Sequence, residues 1–232
     1  MKKIIITILA SIALTSSSAL AGSVQIGATI SNMWIDAAGT ETTTAGDVTG
    51  GAVNTNKATA NNMAIIPALY LEYSFDDASW AGEGNGITLG VSMVEGTADV
   101  SDSVSSRSDT AEDDAGSGST GAVTYEAQAE VSNYVNYYLE MPIVQSLYVK
   151  AGLSQIDLVT KEDADHEGSY GDVALDGVNL GVGFKGLYGN YAWKFAYEVT
   201  NWDDINLTST TSNKIAADID TESLNLSVGY RF

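Results

Sequence analysis

The segment Ser223–Phe232 places Leu224, Leu226, Val228, Tyr230 and Phe232 at every second position, with Asn225, Ser227, Gly229 and Arg231 between them. Alternation of period two sends one set to each face of a β-strand. Alternating segments of this kind run approximately over 23–36, 62–76, 86–97, 124–141, 147–159, 174–186, 190–202 and 222–232. Each is long enough to cross a bilayer as a tilted strand, which takes about 9–11 residues, whereas no apolar run reaches the roughly 20 residues that a helical span needs. A chain that crosses lipid on strands has to close them into a ring, because an open sheet edge in hydrocarbon leaves backbone groups unpaired.

The connections alternate in character. Segments of about 37–61, 98–123, 160–173 and 203–221 are long, polar and rich in Gly, Ser, Thr and Asp, whereas 77–85, 142–146 and 187–189 are short. That order is expected of an even-stranded barrel with both termini on one side, with short turns at one rim and long loops at the other. The fold class expected is therefore all-β, a transmembrane antiparallel up-and-down barrel. Eight strands are expected; ten would require a hairpin inside a long loop, and those loops lack alternation.

Lys2 and Lys3 precede an apolar run from Ile4 to Leu14, and Ala19-Leu20-Ala21 follows as a small-x-small site. Residues 1–21 are expected to be a secretory signal cleaved after Ala21, leaving 22–232 as the barrel. The chain has ten basic and thirty acidic residues, a net charge of −20 and no cysteine. It is exported without disulfides, and its acidity argues against nucleic-acid binding.

Charge supplies a test of the barrel, since lipid tolerates it only inside the ring or beyond the bilayer. Lys57, Arg107, Lys161 and Lys214 fall one in each long loop. Lys150, Lys185, Lys194 and Arg231 share parity with the polar strand face, as do Glu72, Glu126, Glu130, Glu140 and Glu198. These nine are expected to form a polar, ion-paired lumen, helped by Tyr70, Tyr134, Asn136 and Tyr138. Glu95, Asp157, Asp176 and Glu222 break parity near strand ends and are placed at the outer rim, in water. Trp34, Trp202 and Tyr125 next to the long loops, and Tyr73, Phe75, Trp80, Tyr188, Tyr191 and Phe232 near the short turns, are read as two aromatic girdles. Two irregularities are expected: a bulge or broken ladder bond at Pro67, and a bulge near Ser154, where parity slips between Leu153 and Ile156.

The terminal strand, with Tyr230 and Phe232, resembles the C-terminal insertion signal of bacterial outer-membrane β-barrels. The whole pattern resembles small barrels of the OmpA/OmpX and opacity-protein type, and Tyr134-Val-Asn-Tyr-Tyr-Leu-Glu-Met-Pro-Ile143 followed by Leu147-Tyr-Val-Lys-Ala-Gly152 is similar to their central hairpin. The resemblance implies a Gram-negative outer-membrane protein at the cell surface. Its partners are then outer-membrane lipid and, during biogenesis, the barrel-assembly machinery, and the barrel is a monomer.

Catalytic chemistry finds little to use. The single histidine, His166, lies in an acidic loop, so no strand carries the base of a triad, and the chain is expected not to be an enzyme. Asp163, Asp165 and Glu167 open like a calcium-binding loop, but the twelfth position is Ala174 where a bidentate Glu is needed; they are a weak metal candidate. Gly181-Val-Gly183-Phe-Lys-Gly186 has the letters of a dinucleotide motif without the helix that the motif requires. No cofactor is expected. The second long loop sets Asp99, Asp102, Asp109, Glu112, Asp113 and Asp114 against Arg107 alone, a field able to attract divalent cations or basic surface partners. The expected function is envelope integrity with surface display or attachment through acidic loops; the alternative is a small porin-like conduit for ions or small apolar solutes.

Overall fold

The structure, a computed structural model, describes residues 22–42, 55–77, 85–94, 96–99, 105–110, 122–162, 170–209 and 212–232. The segment read as an export signal and the acidic loop holding Asp163, Asp165, His166 and Glu167 lie outside the described residues.

The described residues form eleven strands: β1 (Gly22–Thr42), β2 (Thr55–Asp77), β3 (Gly86–Met93), β4 (Thr97–Asp99), β5 (Ser105–Thr110), β6 (Ala122–Val144), β7 (Leu147–Glu162), β8 (Val173–Tyr188), β9 (Tyr191–Trp202), β10 (Ile205–Thr208) and β11 (Lys214–Arg231). Eight of them, in the order β1-β2-β3-β6-β7-β8-β9-β11, form an antiparallel ring that β1 closes on β11 from Gln25↔Arg231 to Thr42↔Lys214. The other three prolong ring strands past kinks. β4 and β5 continue the β3 column along β6, and β10 continues the β9 column along β11.

Alternation explains the wall. Along β9 every second residue is buried, and Lys194, Ala196, Glu198 and Thr200 face the lumen while Trp193, Phe195, Tyr197 and Val199 face out. Outward residues form an apolar belt that includes Ile26, Ile30, Ile65, Leu69, Leu153, Leu180, Val182, Leu226 and Val228. Apolar side chains facing out and polar ones facing in is the reverse of a water-soluble sandwich, and it is what hydrocarbon surroundings select.

Towards the long-loop end the arrangement inverts. Ile35, Ile156, Leu158, Leu175, Trp202, Ile205 and Ile219 pack together inside the ring. Outside, Asn201 Nδ2 donates to Asp220 Oδ1 at 2.8 Å, Gln155 Nε2 to Asp176 Oδ1 at 2.7 Å, Asn133 Nδ2 to Asp157 Oδ2 at 2.7 Å and Tyr197 OH to Glu222 Oε2 at 2.7 Å. The barrel wall therefore continues beyond the bilayer, where water lies outside and the apolar core moves inside. Asp157, Asp176 and Glu222 stand on the wet outer face, as their parity required; Glu95 is outside the described residues.

This extension changes several expectations. Strand residues occupy parts of all four segments read as loops: β1 and β2 reach to 42 and from 55, the end of β4 and all of β5 lie within 98–123, β7 runs to 162, and β10 and the start of β11 lie within 203–221. Ser154 carries no bulge, and β7 pairs with β8 without interruption from Leu147↔Phe184 to Leu158↔Val173. Ile156 and Leu158 keep the lumen parity of Ser154; what changes there is the chemistry of the lumen. The bulge sits on β6 instead, between Ser132 and Val135, where Asn133 takes φ 54°. Pro67 causes no register shift against β1, being paired with Ile30 in an unbroken ladder. It is tolerated because the described pairing of β2 with β3 begins at Leu69↔Met93, so among the described residues Pro67 has a ladder partner on β1 alone. Trp202 belongs to no girdle: it is buried in the lumen, and its indole Nε1 donates to Thr221 Oγ1 at 3.2 Å.

Candidate functional site

The lumen side chains divide into a charged floor and a chamber above it. Seven of the eight ring strands, all but β11, lend the floor a residue of inward parity. Lys194 on β9 reaches both Glu140 on β6, at 2.8 Å, and Glu72 on β2. Lys185 on β8 takes the other Glu140 oxygen at 3.0 Å and donates to Thr88 Oγ1 at 3.1 Å. Tyr138 OH donates to Glu72 at 2.5 Å, and Gln25 Nε2 donates to Tyr70 OH at 2.7 Å. Higher up, Lys150 on β7 donates to both oxygens of Glu198 at 2.8 and 2.9 Å.

Three ammonium groups thus balance three carboxylates in a space almost shut off from solvent. Buried charges persist only when paired and hydrogen-bonded. The aromatic rings complete the shell: Lys150 Nζ lies 4.1 Å from the Tyr138 ring centre, Lys194 Nζ 4.8 Å from that of Tyr70 and Lys185 Nζ 5.3 Å from that of Tyr148. Room for these rings comes from the wall. A Cβ at Gly90 would collide with the Tyr138 ring, and one at Gly27 or Gly229 with Tyr70.

Six of the nine charges read as lumen partners, Glu72, Glu140, Lys150, Lys185, Lys194 and Glu198, meet here. Glu130 stands higher on β6, half-buried, opposite Val159. The Glu126 side chain lies outside the described residues. Arg231 sits at the opposite end of the barrel, where its Nε donates to Ser23 Oγ. Tyr230 and Phe232 face outward and join Tyr191 in edge-to-face contacts with centroids 5.6 and 4.9 Å apart. Among the described residues no group of three His, Cys, Asp or Glu side chains is arranged to hold a metal.

Above the floor is a cavity of about 100 Å³. Tyr138, Lys150 and Glu198 form its base, Asn136, Asn179 and Asn225 its middle, and Met33, Ile35, Ile156, Trp202 and Ile219 its roof. One side is lined by Ala64, Ile66 and Ala68 of β2 and by Val94 and Gly96. The chamber was hidden in the sequence, because Ile156 and Leu158 read as a slip of strand parity and Ile205 and Ile219 fall within a segment read as a loop.

No family model matches the chain, and no curated protein matches it. Solved structures do. Ail, the attachment invasion locus protein of Yersinia pestis, aligns at 12% identity and TM-score 0.41, over 92% of this chain and 100% of that one. The outer membrane protease OmpT of Escherichia coli aligns at 9% and 0.42, over 93% and 99%, and the outer membrane protein OprG of Pseudomonas aeruginosa at 13% and 0.39, over 92% and 97%. The assignment of architecture rests on ring closure and the apolar belt. The chain is an eight-stranded transmembrane β-barrel of the outer-membrane kind.

Proposed function

We propose that the protein is a sealed outer-membrane barrel that contributes to envelope integrity and presents its acidic outer end for attachment. The observation that carries this reading is the floor, in which Lys150, Lys185 and Lys194 are matched against Glu72, Glu140 and Glu198 across five strands. An ion entering such a lattice has to separate pairs that have no water to replace them. An eight-stranded ring is only wide enough for side chains to fill, which supports a plug over a pore. The outer end is acidic in its wall as well as in its loops, with Asp36, Asp176, Asp203, Asp204, Asp218, Asp220 and Glu222 exposed. Such a surface favours cations and basic partners.

Reconstitution in planar bilayers tests the seal. The expected record is a flat baseline without unitary steps. Reproducible single-channel steps whose size changes in Lys150→Ala or Glu198→Ala would replace this reading with the conduit.

A further inference from the structure

Among the described residues the ring is incompletely zipped on one side. β2 pairs with β1 along its whole length but with β3 only from Leu69↔Met93 towards the short-turn end. Two residue-level causes coincide at the point where pairing stops. Pro67 has no N–H to offer, and Gly96, at φ 124°, kinks the β3 column between Val94 and Thr97. Beyond that point β4 follows β6, while β2 stays with β1. A seam results, and Ala64, Ile66, Ala68, Val94 and Gly96 on its two banks all line the chamber.

The height of the seam identifies its surroundings. Trp34, at the outer boundary of the belt, pairs with Met63. Pro67 lies four residues further along β2, about 13 Å of strand below that level at roughly 3.3 Å per residue. Met63, Ile65 and Leu69, the outward neighbours on this bank, are among the most exposed apolar residues of the protein. The seam therefore faces hydrocarbon. Irregular backbone at that depth is tolerated where it is buried in protein or lines a water-filled cavity, and both banks line the chamber.

We propose that the seam is a side entrance through which one acyl chain of an outer-leaflet lipid reaches into the chamber beneath Trp202. The occupant follows from the surroundings, since lipid chains are what the opening meets. Size sets the stoichiometry: an engineered apolar cavity of about 150 Å³ takes one benzene, so about 100 Å³ admits the end of a single chain. Met33, Ile66, Ile156 and Ile219 supply apolar contact for it, and the charged floor stops it from going deeper.

The lumenal position of Trp202 provides the readout. Trp34→Phe, Trp80→Phe and Trp193→Phe together leave Trp202 as the only tryptophan of the four. This variant is refolded into phosphatidylcholine vesicles with or without bromine on the acyl chains. Bromine quenches indole on close approach, so the expected result is loss of Trp202 emission in brominated vesicles only. Adding Ile66→Cys to this cysteine-free chain allows the seam to be blocked after folding with N-benzylmaleimide, which should restore the emission. Equal emission in both vesicle types overturns the proposal. So does quenching that persists after labelling, or a folded barrel whose Cys at 66 does not react.

Discussion

Lys194 holds the lumen together more than any other side chain, because it bridges two carboxylates that would otherwise repel each other across the barrel. It touches Glu72 and Glu140 and lies against the rings of Tyr70 and Tyr138. Lys194→Met leaves two buried acids sharing one fewer cation and is expected to lower stability by about 3–5 kcal/mol, read from the urea midpoint of the barrel in vesicles. Lys214→Met, at the exposed outer end of β11, should leave the midpoint in place. Equal shifts would mean that the floor contributes no more than surface charge. The parity of these residues was legible in the sequence, because every lumen cation sits between apolar neighbours. Which acid meets which lysine was not, because Glu72, Glu140 and Lys194 come together only through ring closure. Arg231 shows the limit of parity: it has the inward phase of the others, yet height along the barrel separates it from them.

At the scale of elements, the informative features are the places where strands depart from regular pairing. The bulge on β6 turns on Asn133, whose left-handed backbone is unfavourable for branched residues. Asn133→Val is expected to cost about 1–2 kcal/mol, whereas Asn133→Gly should fall within a few tenths of wild type; the same urea assay checks both. A loss on Asn133→Gly as large as that on Asn133→Val would shift the cause from backbone to the bond with Asp157. The sequence indicated an irregularity nearby but assigned it to β7, because Leu153 followed by Ile156 looks like a slipped phase. A change in which face is apolar and a change in register leave the same trace along one strand. Pairing with both neighbours distinguishes them, and β7 stays in register with β8 from Leu147 to Leu158. Pro67 was read as a defect inside a ladder; it marks the end of one.

For the whole molecule, the test is whether the belt sits in lipid where its apolar residues place it. Val182 lies on β8 midway between Asp176 on the outer collar and Tyr188 at the short turn, and it faces out. Val182→Arg should cost about 2–4 kcal/mol, against about 0–1 for Asp176→Arg near the interface, measured as the change in unfolding free energy in vesicles. Similar costs at both sites would displace the bilayer from the belt. The sequence by itself determined the strand alternation, the eight-fold count and the sorting of charge from lipid, because each depends only on period two and on the exclusion of charge from hydrocarbon. Tertiary structure decided the rest: how far the wall rises past the membrane, where the lumen turns from ion pairs to an apolar chamber, and where the wall parts. Those features depend on height and on neighbouring strands. A residue's phase says which side it faces, but only the closed ring decides whether that side, at that height, is lipid, water or core.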